Sequence, residues 1–189
     1  MNPDSSWDIL QKELLISFLP KVRNYLQELN VLSQVEMLQA DHLGLRFKNI
    51  ETIENLKKEL GKVGKMISSA VVNGRKIFIF ELNNPLIFGD WHIPCIELPY
   101  PKEKQEYADG WEHIEFVIPS NASSLENFKK DFMSFLPLLN IDKLIEEDQY
   151  SESVPKVEIV QLPNPSILLN KSLNLTIKFH PKPIKDIVS

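Results

Sequence analysis

Apolar residues recur every three or four positions from Trp7 through Leu10, Leu14, Phe18, Val22 and Leu26 to Leu29, the period of an amphipathic helix. Ser5 or Ser6 can cap its start. Pro20 falls inside the pattern and must end one helix or kink it, so two short helices fit as well as one. From Asp41 the period drops to two. Leu43, Leu45 and Phe47 point one way and His42, Gly44 and Arg46 the other, as on a strand with one buried face. Helical spacing returns from about Ile50 to Val63, carried by Ile53, Leu56, Leu60 and Val63, with Gly61 and Gly64 expected to close the helix. Strands are then expected at 65–72, 75–82 and 91–98. Asn73-Gly74 joins the first two as a tight hairpin turn, Asn83-Asn84-Pro85 ends the second, and Pro99 ends the third.

The same order then starts again. Residues 111–118 alternate, with Ile114, Phe116 and Ile118 on one face and His113, Glu115 and Val117 on the other. Ser123 or Ser124 caps a helix holding Leu125, Phe128 and Phe132. After a variable stretch, strands are expected at 156–162, 166–169 and 173–180. His42 and His113 lie 71 positions apart, each after an acid. Lys76, Ile77, Ile79, Leu82, Asn84 and Pro85 match Lys156, Val157, Ile159, Leu162, Asn164 and Pro165, each 80 further on. The spacing implies two copies of one strand-helix-strand-strand-strand unit, with an insertion near the second helix. The fold class expected is α+β in one domain. A helical segment at 1–40 precedes a first module at 41–101 and a second at 110–184.

If the apolar faces pack on helices, the opposite faces share a cavity. Parity sends His42, Arg46, His113, Glu115, Lys178 and His180 there. Glu97 is expected to share its face with Trp91, Ile93 and Cys95. His92 has the opposite parity and reads as structural. Asp41 and Glu112 are expected to face outward or cap local backbone.

Composition narrows the function classes. The 189 residues include 26 acidic and 21 basic side chains, a formal charge of -5, without the basic stripe that binding to a phosphate backbone needs. One cysteine, Cys95, excludes a disulfide framework and cysteine-type zinc clusters, and fits a reducing, cytoplasmic setting. No apolar run is long enough to span a bilayer, and the first residues lack the pattern of a signal peptide. A monomer acting on a small molecule, with neither nucleic acid nor membrane as partner, is the expectation.

Four histidines remain, and parity gathers three of them beside carboxylates. Imidazole nitrogen and carboxylate oxygen suit a divalent first-row ion such as zinc, nickel, iron(II) or manganese. His42, Glu97, His113 and His180 are the candidate ligands. Arg46 and Lys178 could hold an anionic substrate group, and Glu115 could move a proton or orient an imidazole. One ion with bonds of ~2.1 Å can join His42 and His113 only if they lie within ~10 Å of each other. A protein that merely holds a ligand in the same cavity is the alternative to an enzyme. A weaker third reading gives the function to the N-terminal helices.

The blocks Asp41-His42-Leu43-Gly44-Leu45-Arg46, Ile96-Glu97-Leu98-Pro99-Tyr100-Pro101, Gly110-Trp111-Glu112-His113-Ile114-Glu115, Leu162-Pro163-Asn164-Pro165 and Ile177-Lys178-Phe179-His180-Pro181 resemble the YecM family from about residue 7 onward. That family is similar to the vicinal oxygen chelate superfamily, which includes glyoxalase I, methylmalonyl-CoA epimerase, extradiol dioxygenases and bleomycin-resistance proteins. The resemblance implies paired βαβββ modules forming one curved mixed sheet, or half-barrel, around a cavity. It also implies a divalent metal held by the first and last strands of each module, and isomerase, epimerase, dioxygenase or lyase-like chemistry. Carried over, His42 and Glu97 come from the first module and His113 from the second. The superfamily's fourth ligand is usually a carboxylate. Here the ungapped partner of Glu97 is Lys178, and His180 lies two residues on, on the same face.

Overall fold

A computed structural model describes residues 5–102, 107–155, 164–172 and 174–188. The chain opens with α1 (Ser6–Glu13), a π-helical turn (Leu14–Phe18), α2 (Leu19–Glu28) and α3 (Leu32–Glu36). The first module follows: β1 (Gln39–Arg46), α4 (Ile50–Val63), β2 (Gly64–Val72), β3 (Arg75–Phe88) and β4 (Trp91–Pro99). The second contains β5 (Gly110–Val117), α5 (Leu125–Phe135), α6 (Ile141–Glu146), β6 (Tyr150–Ser153), β7 (Ser166–Ser172) and β8 (Leu175–His180), and α7 (Ile184–Val188) comes last.

All eight strands form one mixed sheet in the order β2-β3-β4-β1-β5-β8-β7-β6. β1 runs parallel to β4, β5 runs parallel to β8, and the halves meet where β1 lies antiparallel to β5. The fold is therefore α+β, with each half built as βαβββ. The first and last strands of each half sit at the centre, and these four carry every candidate site residue.

One face of the sheet is the core. Leu43 and Leu45, Ile96 and Leu98, Ile114 and Phe116, and Ile177 and Phe179 pack in a single apolar cluster with Ile53, Leu56 and Leu60 of α4 and Phe128 and Phe132 of α5. The leading helices belong to the same cluster through Trp7, Leu14, Leu19, Val22 and Leu26. The Trp111 indole N–H donates to the Leu10 carbonyl at 2.8 Å, which ties α1 to β5 and gives a buried donor its partner.

Pro20 does not end the helical path, which runs from Ser6 to Glu28 through a π-helical turn. It sits in the first turn of α2, where a missing N–H is tolerated. The π-helical turn before it closes with the Leu19 N–H donating to Leu14 O, so the helical path carries on past the proline. The Asn73-Gly74 turn forms as expected, both residues having positive φ (51° and 77°), the signature of a type I′ hairpin.

Three expectations need correction. α4 runs through Gly61, and Gly64 (φ -165°) is the first extended residue of β2, not a left-handed cap. A side chain there would strike the Glu81 carbonyl of β3, so close backbone approach is what calls for glycine. β3 does not stop at Asn83-Asn84-Pro85. The ladder slips in register between Glu81 and Leu86 and continues to Phe88, as a bulge allows. Opposite that slip, Pro94 has no N–H for the ladder. The parity of β4 switches there, so Trp91 and Ile93 face the core and Cys95 and Glu97 the other side. The strand beside β8 is Ser166–Ser172, with Leu168 opposite Lys178 just as Ile79 is opposite Glu97. Residues 156–163 of the match between 76–85 and 156–165 lie outside the described residues, and with them the strand expected at 156–162. β6, at Tyr150–Ser153, formed within the stretch read as variable.

Candidate metal centre

β5 is buried along its whole length although it contains Glu112, His113 and Glu115. Buried ionisable groups are costly unless paired, so their partners define the site. His113 stands opposite Gly44 of β1, and Glu115 opposite His42. The His42 and His113 ring centroids are 5.9 Å apart, and those of His42 and His180 are 6.1 Å apart, well inside the reach of one ion.

Each imidazole is held the same way. His42 Nδ1 donates to the Asp41 carboxylate at 2.8 Å and His113 Nδ1 to Glu112 at 2.5 Å. His180 Nδ1 donates to the Lys182 carbonyl at 2.7 Å. A proton fixed on Nδ1 leaves Nε2 as the ring's remaining coordinating atom. All three Nε2 atoms are buried and have no hydrogen-bond partner among the described residues. His42 Nε2 lies 3.3 Å from Glu115 Oε1 and 3.9 Å from Glu97 Oε2. His113 Nε2 lies 3.4 Å from Glu115 Oε1 and 3.8 Å from Glu97 Oε1. One donor atom from each of these four residues fits within 4.8 Å of all the others. Two imidazoles and two carboxylates in that arrangement are a donor set for a borderline divalent ion.

Asp41 and Glu112 correct the expectation that they face outward: they are 1% and 7% exposed. The cause is a pair of bulges. The β1–β5 register passes from Ala40–Phe116 to His42–Glu115, and from Gly44–His113 to Leu45–Trp111, so Asp41 and Glu112 are the unpaired residues. A bulge suspends strict alternation and turns each acid onto its own histidine. The repeated acid-histidine dipeptide was the available signal. Gly44 is equally necessary, because a Cβ there would fall inside the His113 imidazole.

Electrostatics bind the cluster together. Burial opposes the charge on Glu115, but Lys178 and His42 outweigh it and hold the carboxyl well below its usual range. Lys178 Nζ bonds Glu115 Oε1 at 2.8 Å. Burial likewise disfavours the His42 imidazolium, yet Glu115 and Asp41 raise its pKa to about 10. Burial lowers that of His180. Burial raises the Glu112 carboxyl, but His113, Lys178 and Arg46 together bring it down to about 2.

A cavity of about 190 Å³ opens onto this cluster. His42, Glu97, Glu115, Lys178 and Arg75 supply its polar wall, and Ala70, Ile77, Ile79, Leu168, Ile184 and Ile187 its apolar one. Arg46, expected in the cavity, is not part of its lining and pairs instead with Glu112, with Nε 3.0 Å from Glu112 Oε2. His92 is exposed on β4 and stands apart from the cluster. Arg75, at the hairpin end of β3, went unnoticed in the sequence because it adjoins a turn. Cys95 is buried, and burial raises its thiol to about 12, so it offers no thiolate.

The YecM protein family model matches residues 10–189. The chain belongs to the YecM family. An uncharacterised protein of Haemophilus influenzae is 38% identical over 177 residues, covering 90% of this chain and 88% of that one. Protein YecM of Escherichia coli is 34% identical over 182 residues, with 93% and 91% covered. A solved structure titled Structural Genomics, Protein EC4020 matches with a TM-score of 0.69 and 31% identity over 97% of this YecM-family chain and 95% of the other. A methylmalonyl-CoA epimerase of Streptomyces coelicolor matches at a TM-score of 0.39 and 13% identity, covering 75% and 95%, too low to carry any argument. Among the described residues of this YecM-family protein, no helix is long and apolar enough to cross a membrane.

Proposed function

We propose that this YecM-family protein binds a divalent first-row metal ion through His42, His113, Glu97 and Glu115 and uses it on a small, anionic, oxygen-rich molecule. The observation that carries the reading is the convergence of buried, unpartnered Nε2 atoms on two carboxylates, each ring already oriented through Nδ1. The donor set fits an ion: nitrogen and oxygen atoms, net negative, and preorganised. Zinc, nickel, iron(II) and manganese all accept such donors. A bound ion of this kind supplies Lewis acidity toward vicinal oxygens.

The chain's own residues account for the rest. Lys178 keeps Glu115 ionised and places a positive charge on the cavity wall. Arg75 adds a guanidinium that can take a carboxylate or phosphate oxygen. The volume, about 190 Å³, lies below the ~300–1,000 Å³ of pockets that take drug-sized ligands, which favours a small ligand. The apolar wall, including Ile184 and Ile187 of α7, keeps bulk water from the reacting end. Isomerisation, epimerisation, oxygen insertion and elimination all fit such a site.

Metal analysis of protein purified without a histidine tag tests the reading. Stoichiometric metal, lost in the His42→Ala/His113→Ala double variant with the fold retained by circular dichroism, is expected. A folded wild-type protein that takes up no offered divalent ion would refute it.

A further inference from the structure

His180 stands apart from the four-residue set. It closes a separate group with Asp41 and His42. Its side chain is 1% exposed, and Nδ1 is committed to the Lys182 carbonyl at 2.7 Å. Nε2 lies 3.5 Å from Asp41 Oδ2 and 3.5 Å from Glu115 Oε2, with no hydrogen-bond partner among the described residues. The buried Nε2 thus stands between two carboxylate oxygens of different residues, where charges are weakly screened. A cation drawn between them would satisfy the nitrogen and both oxygens.

Glu115 links this group to the other. Its Oε1 faces His42 and His113 at 3.3 and 3.4 Å, and its Oε2 faces His180. One carboxylate with each oxygen turned to a different imidazole group has the form of a bridge between two ions ~3.5–4 Å apart. Asp41 couples the two places as well, since it also orients His42.

We propose a second divalent-cation site formed by His180, Asp41 and Glu115, with Glu115 bridging it to the ion held by His42, His113 and Glu97. The proposal rests on the metal-binding reading above. Three carboxylates against two divalent ions leave a net positive centre beside Lys178, which suits an anion that places oxygen atoms on both ions.

Chelator-stripped wild-type protein and a His180→Gln variant are titrated with Mn²⁺, with bound metal counted and the electron paramagnetic resonance spectrum recorded. Two equivalents and an exchange-coupled pair signal are expected in the wild type. One equivalent without the coupled signal is expected in His180→Gln. One equivalent in the wild type, uncoupled, overturns the second site and leaves the first standing. Two equivalents in both proteins overturn its placement at His180. No uptake by the wild type removes both readings. If His180→Gln does not fold, the wild-type stoichiometry and coupling decide alone.

Discussion

At the scale of single residues, the proposed site depends on how its imidazoles are held as well as on the donor atoms that face the ion. Glu112 holds His113 through Nδ1, and Asp41 holds His42. Partners of this kind typically contribute 10–100-fold to metal affinity, so Glu112→Gln should weaken binding by about that factor without unfolding the protein, as titration calorimetry would show. Gly44→Ala should do more, because the new methyl occupies the space of the His113 ring. Expected is a loss of at least ~10-fold in metal affinity; unchanged affinity would mean His113 does not need its place over Gly44. The metal-free protein should also show a specific pH dependence. His42 has its folded pKa raised from 6.5 to about 10. The stability this contributes is fully present below about pH 6.5 and is lost as pH rises through 10. Stripped wild type should therefore lose Tm between pH 7 and 10 more steeply than His42→Gln. The histidines themselves were legible, because strand parity sends them to one face. The acids were not, because two bulges break the parity on which such reading relies.

At the scale of elements, long periodic segments were legible and irregular ones were not. α4 spans 50–63 as its spacing predicts, and α5 is capped by Ser124. The ladder slip in β3 and the parity switch at Pro94 arise from pairing between strands distant in sequence, which no local pattern encodes. α7 is similar: its first N–H, that of Ile184, donates to Asp41 at 3.0 Å, a contact set by tertiary structure. The leading helices support the sheet from the face opposite the site. Leu14 is fully buried in the shared core, so Leu14→Ala should cost about 2–5 kcal/mol by denaturant unfolding, while the folded fraction keeps its metal stoichiometry. A loss of metal binding with the fold intact would show that these helices act on the site directly.

At the scale of the whole molecule, two βαβββ halves meet at β1 and β5, and the site straddles that seam. His42 and Glu97 come from one half, and His113 and Glu115 from the other, so neither half holds the donor set alone. The order of elements made this arrangement readable from sequence, and the strand that pairs with β8 is 166–172. Lys178 occupies the position equivalent to Glu97, and the cluster's second carboxylate stands on the neighbouring strand as Glu115, bonded to that lysine. Anomalous diffraction from crystals grown with a divalent metal offers the most direct test. An ion bonded at ~2.0–2.2 Å to both His42 Nε2 and His113 Nε2, with Glu97 or Glu115 completing it, is the expected result. Well-ordered crystals grown in excess metal that show no anomalous peak between those two imidazoles would contradict it.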